Sequence, residues 1–250
     1  ITIDNEDDVM SIFDAWVSLS DENKPERSDH YVLGLSGNLT EQATMNLETY
    51  YKRYNSLFVY NRDKIDANDP DYITGTGNSF GAELTLRSHL QYVDLYGAYS
   101  LSWVKINNGG FVYYPRYDRR HHVNLLAVAH PTKGLTTIVK WEFGSGFPFS
   151  QTVAYFDRMT FENMFPSQFE TETGSPFIML GGKNDVRLPA YHRMDISVAY
   201  SFQVFGLDVN VGADLLNVYN NKNIFYFDRR TGRRVNMLSF FPSVTLTVQY

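Results

Sequence analysis

Arg193, Met194, Asp195, Ile196, Ser197, Val198, Ala199, Tyr200, Ser201, Phe202 and Gln203 alternate without a break. Met194, Ile196, Val198, Tyr200 and Phe202 fall on one parity, and polar or small residues fall on the other. Successive side chains of a β-strand point to opposite faces, so the stretch predicts a strand with one face for lipid or core and one for water. The same pattern recurs where Phe80, Ala82, Leu84 and Leu86 oppose Gly81, Glu83, Thr85 and Arg87. It recurs again where Val93, Leu95, Tyr99, Leu101 and Trp103 oppose Asp94, Tyr96, Ser100 and Ser102.

Working outward, strands are expected near 9–19, 30–39, 43–60, 78–90, 92–107, 119–131, 134–150, 188–203, 206–220 and 237–250, about ten in all. Many span the roughly nine to eleven residues that a membrane strand needs, where strands of globular proteins average about five or six. Connections alternate in length. Thr40 to Gln42, the surroundings of Gln91, Thr132 to Lys133 and Val204 to Phe205 are tight. Ser20 to Asp29, Asn61 to Gly77, Asn108 to Asp118, Gln151 to Arg187 and Asn221 to Asn236 are long. Short turns on one rim and long loops on the other define an all-β, antiparallel up-and-down transmembrane barrel rather than a sandwich or jelly roll.

Composition agrees. The chain has 250 residues, of which 16% are aromatic (18 Tyr, 18 Phe and 3 Trp), yet no apolar run long enough for a spanning helix. It has no Cys, which removes disulfides and thiolate metal sites. A net charge of −6 with scattered Lys and Arg argues against nucleic acid as a partner. Ile1 opens the chain without an initiator Met or a signal peptide, as expected of a mature chain or a fragment. Rings gather near strand ends, at Tyr50, Tyr51, Tyr54, Phe58 and Tyr60 and at Trp141, Phe143, Phe147 and Phe149, where an interfacial girdle would stand.

Covalent chemistry finds little support. His122 beside Asp118 and His192 near Asp195 are the pairs that a ten-stranded outer-membrane protease could use to activate water. His121 and His122 point to opposite faces of a strand and cannot share a metal ion. The acidic loop at Asp63, Asp66, Asp69 and Asp71 lacks the spacing of a calcium loop. No cofactor and no metal are expected.

The last strand, Val244, Leu246 and Val248 closing on Tyr250, resembles the C-terminal signature by which outer-membrane proteins are recognised for insertion. Five further stretches resemble, in order, the closing barrel region of TonB-dependent receptors. They are Ser28 to Gly34 with Leu47 to Lys52; Ser79-Phe80-Gly81-Ala82-Glu83-Leu84; Phe143 to Phe149; Leu188-Pro189-Ala190-Tyr191-His192-Arg193-Met194-Asp195; and Asp214 to Asn220.

The resemblance implies a nutrient receptor of the Gram-negative outer membrane, with residues 1–250 the C-terminal part of a barrel of about 22 strands. The earlier strands, and a plug domain that meets TonB, would lie outside this chain. Expected partners are TonB, the barrel-assembly machinery, lipid or lipopolysaccharide and a surface lipoprotein. The nutrient is left open between glycan, peptide, ferric siderophore and cobalamin. By parity Glu48, Lys52, Glu83, Arg87, Asp94, Lys140, Glu142, Arg193, Asp195, Asp208 and Asp214 face the lumen. Ligand contact is expected in the longest loop, at Tyr155, Phe156, Phe161, Phe165 and Phe169. A small ten-stranded barrel, acting as a protease or a passive porin, is the alternative that shares the same strands.

Overall fold

The computed structural model describes residues 25–61, 66, 68–70, 72–158, 175–228 and 231–250. The expected strand at 9–19, and Phe161, Phe165 and Phe169, lie outside them. In chain order the strands are β1 (Arg27–Thr40), β2 (Ala43–Tyr60), β3 (Tyr72–Leu90), β4 (Val93–Asn107), β5 (Val112–Tyr113), β6 (His121–Thr132), β7 (Leu135–Gly144) and β8 (Pro148–Phe149). They continue with β9 (Thr152–Arg158), β10 (Ser175–Leu180), β11 (Val186–Arg187), β12 (Tyr191–Val204), β13 (Leu207–Leu216), β14 (Ile224–Asp228), β15 (Arg233–Asn236) and β16 (Phe241–Gln249).

One antiparallel meander runs β1-β2-β3-β4-β6-β7-β12-β13-β16, with β5 added to β4 and with β1 and β16 at its open edges. Each neighbour is the next long strand in sequence, as an up-and-down barrel wall requires. Register converts the alternation of single strands into two faces. Leu35, Leu47, Leu84, Tyr99, Val123, Phe143 and His192 pair in turn across seven strands. One residue away, Ser36, Asn46, Thr85, Ala98, Asn124, Glu142 and Arg193 do the same. The first row is apolar, the second polar and charged; Leu126, Val128 and Ile138 are apolar exceptions on the polar face.

No packed interior explains the apolar row. Among the described residues only Val59, Val104, Ile106 and Tyr113 are buried hydrophobics, whereas Leu33 is 76% and Leu246 67% exposed. Such a face is stable only against hydrocarbon, where each apolar Å² removed from water yields about 25 cal/mol. On the apolar face of the long strands, the first charged side chains met on climbing from the short turns are Asp29, Arg53 and Lys105. Below them a ring tier runs Tyr31, Tyr51, Phe80 and Trp103 in register, with Phe80 and Trp103 stacked at 5.1 Å.

The short turns step progressively further down the sheet. Ala43 pairs with Ser88, two residues short of the end of β3. Val93 pairs with Ala129, three short of the end of β6, and Leu135 with Tyr200, four short of the end of β12.

Three sequence expectations need correction. β3 begins at Tyr72, so Gly75 and Gly77 belong to a strand and not to the Asn61 to Gly77 loop. The glycine conceals a crowded crossing: a Cβ on Gly75 would lie 2.6 Å from a Val59 methyl and 2.9 Å from the Asn107 carbonyl. The strand expected over 134–150 stops at Gly144 and resumes as β8, because Ser145 turns to bond β6, its N–H donating to the His121 carbonyl at 2.8 Å. The loops Gln151 to Arg187 and Asn221 to Asn236 are not irregular throughout: β9 pairs with β10 and β14 with β15.

Candidate functional site

At the long-loop end the chain folds back over the polar face, and one carboxylate organises the rim. Asp118 is fully buried, at 0% exposure. Its Oδ1 accepts the Val104 N–H at 2.7 Å, while its Oδ2 receives Arg120 at 3.3 Å and Arg187. The other arm of Arg187 donates to the Asp118 carbonyl at 2.9 Å and to the Gly146 carbonyl at 3.1 Å. Four segments are thereby tied at one point: β4, the approach to β6, the β7–β8 passage and β11. A buried carboxylate is tolerated because two guanidinium groups and a backbone donor satisfy it.

Beside this knot, Glu142 on the polar face gathers cations. His122 Nε2 lies 3.1 Å from it, Lys140 Nζ 3.7 Å and Arg119 4.0 Å. The Arg119 guanidinium covers the Phe147 ring at 4.1 Å, and burial lowers its pKa against the opposing pull of Glu142. Gly144 makes room for it, since a Cβ there would sit 2.5 Å from the guanidinium carbon.

A second knot joins two motifs far apart in sequence. Asp195 Oδ2 holds Arg193 at 2.7 Å and its Oδ1 accepts the Asn217 N–H at 2.9 Å. Asn217, 1% exposed and at φ 53°, donates from its side chain to the carbonyls of Asn221 and Leu238. The Leu188 to Asp195 and Asp214 to Asn220 stretches therefore meet to close the β12–β13 end.

Above the rim stands the β9–β10 hairpin, its base fixed by a Gly181 N–H bond of 2.8 Å to the Gln151 carbonyl. Phe156 and Phe177 meet at 5.1 Å between ring centres. Tyr155, Phe156, Phe177 and Met179 are all exposed, at 42% or more. Tyr155 and Phe156 are thus solvent-facing neighbours of residues that sequence reasoning missed. Phe177 and Met179 sit in the short apolar run Ser175 to Leu180, whose register with Thr152 to Arg158 was the signal available.

The remaining sequence candidates separate by position. Glu83 pairs in register with Glu48, and Arg87 with Thr44, both low on the polar face. Asp94 contacts His89 near a short turn. The suggested histidine and carboxylate pairs do not form: His122 meets Glu142 rather than Asp118, and His192 meets the Tyr219 hydroxyl at 3.0 Å on the face opposite Asp195. Among the described residues no three His, Asp or Glu side chains group as metal ligands. Val244, Leu246 and Val248 lie exposed along β16, and Tyr250 follows it.

A meander of this length, apolar outside and charged inside, with rings at the boundary, is the wall of an outer-membrane β-barrel. The TonB dependent receptor-like, beta-barrel family matches residues 12–220, and the chain belongs to that family. It is therefore a protein of the Gram-negative outer membrane. The fold is also that of solved receptors. It superposes on the unliganded ferric citrate transporter FecA with a TM-score of 0.58 at 16% identity, covering 90% of this chain and 31% of that one. On the FpvAI receptor of a pyocin S2 complex the values are 0.61, 10%, 90% and 28%. On BauA, the ferric preacinetobactin receptor of Acinetobacter baumannii, they are 0.57, 14%, 90% and 29%. The chain thus spans about a third of the length of the solved structures it matches. No curated protein matches it in sequence.

Proposed function

We propose that residues 1–250 are the C-terminal part of the barrel of a TonB-dependent receptor that imports a nutrient without covalent chemistry. The plug domain that meets TonB and the earlier strands then belong to other parts of the polypeptide. The observation that carries this reading is the charged row running across the sheet to Glu142 and Arg193, a lining suited to a polar solute or to a plug. Glu83, Arg87, Asp94, Arg193 and Asp195 are its lumen-facing charges. Above them the exposed rings Tyr155 and Phe156, together with Phe161, Phe165 and Phe169, form the first contact with the ligand.

The proteins it resembles in fold include a ferric citrate transporter and a ferric preacinetobactin receptor, which puts ferric chelates first among the nutrients to test. The test is uptake by cells producing the full receptor, with radiolabelled ferric chelates, oligosaccharides and peptides offered in turn, with and without TonB. One solute should accumulate only when TonB is present, and less so in the Tyr155→Ala, Phe156→Ala double variant. Accumulation that persists without TonB would make the chain a passive pore instead.

A further inference from the structure

Arg53, Asn78 and Lys105 stand side by side in register on three adjacent strands. They share the apolar face with Tyr51, Phe80 and Trp103, two residues nearer the long-loop end. Counted from the short turns, Arg53 is ten residues up β2 from Ala43, Asn78 twelve from Leu90, and Lys105 twelve from Val93. A spanning strand uses about nine to eleven residues, so these side chains stand where the hydrocarbon of the outer leaflet gives way to its headgroups. A recess of about 520 Å³ opens there, lined by Tyr51, Arg53, Asn55, Asn78, Lys105 and Asn107 among others.

Three facts make the recess a binding site rather than solvated rim. No ion pair joins Arg53 or Lys105 to a described residue. The one carboxylate in their row, Asp29, is already engaged, accepting from Asn55 at 2.7 Å and lying 4.0 Å from Arg27. The backbones of β2 and β4 are about 10 Å apart across β3, a gap that one Arg and one Lys side chain close on a single tetrahedral anion, with the Asn78 amide between them. The rings directly below would lie against sugar and the first acyl methylenes.

We propose that this recess binds the phosphate of a phosphorylated, acylated sugar, the anionic glycolipid of the outer leaflet, and so fixes one lipid against the β2–β4 wall. The test uses the full receptor in nanodiscs. Bound glycolipid is counted by native mass spectrometry for the wild type, for Arg53→Gln with Lys105→Gln, and for Lys133→Gln, which removes a cation from a short turn. Retention of barrel structure in cold detergent verifies folding of each variant. Removing both cations should lower glycolipid retention roughly tenfold or more, whereas Lys133→Gln should not change it. Wild-type retention should fall similarly when the glycolipid is enzymatically dephosphorylated, and phosphatidylglycerol or inorganic phosphate should not displace the bound lipid. Equal retention by the double variant, or equal retention of the dephosphorylated lipid, would overturn the proposal. Displacement by inorganic phosphate would overturn it too, by showing a simple anion site.

Discussion

Asp118 shows what a single side chain contributes to the rim. It is the one fully buried carboxylate among the described residues, and every segment of the β4, β6 and β11 corner bonds to it. Replacing it with Ala leaves Arg187 and Arg120 facing each other without a counter-charge, at a cost of roughly 3–5 kcal/mol. The expected readout is a lower temperature at which the barrel loses its resistance to detergent, with the β9–β10 hairpin becoming protease-sensitive first. Unchanged values would show that the rim is held elsewhere. Sequence alone could not reveal this role. Asp118 and Arg187 are separated by nearly seventy positions, and local spacing pointed instead to His122, which the register turns towards Glu142.

At the scale of the element, the long strands were legible because their two faces meet different solvents, leaving an alternation that survives over ten or more residues. The expected 43–60 strand coincides with β2, and the turns at Thr40 to Gln42 and Gln91 fall where β1–β2 and β3–β4 reverse. The β9–β10 hairpin was illegible for the opposite reason: Tyr155 and Phe156 are neighbours on opposite faces, and both are exposed, so no solvent difference writes a pattern. The two faces also predict how charge is tolerated. Leu84→Arg on the apolar face should cost roughly 2–4 kcal/mol in barrel stability, while Thr85→Arg, one residue on, should cost about 1 or less. Urea unfolding in bilayers measures both. Similar losses for the two variants would contradict the assignment of the faces.

Across the whole molecule, two edges remain open, and β16 carries the alternating end that resembles an insertion signal. If Val244, Leu246, Val248 and Tyr250 are read by the assembly machinery, then Tyr250→Ala with Val248→Ser should reduce the folded receptor in outer membranes several-fold and raise its periplasmic degradation. A stable, fully assembled double variant would remove that role from the terminus. The family and the barrel class were readable from the ordered stretches Ser79 to Leu84, Phe143 to Phe149 and Leu188 to Asp195, since each marks a strand boundary that the fold reuses. The imported solute was not, because the loops that would choose it carry no periodic constraint.

The stepped turns have a geometric consequence for whatever passes along the wall. From the β1–β2 turn to the β12–β13 turn they slip by about 30 Å along the strands while crossing about 29 Å of sheet, a slope of roughly 45°. Residues in one hydrogen-bonded row therefore lie at different depths. Ser36 stands four residues above the end of β1, but Arg193, in the same row, stands eleven above the end of β12. The polar row is a spiral ramp, and a solute handed from one of its side chains to the next would revolve about the pore as it descends.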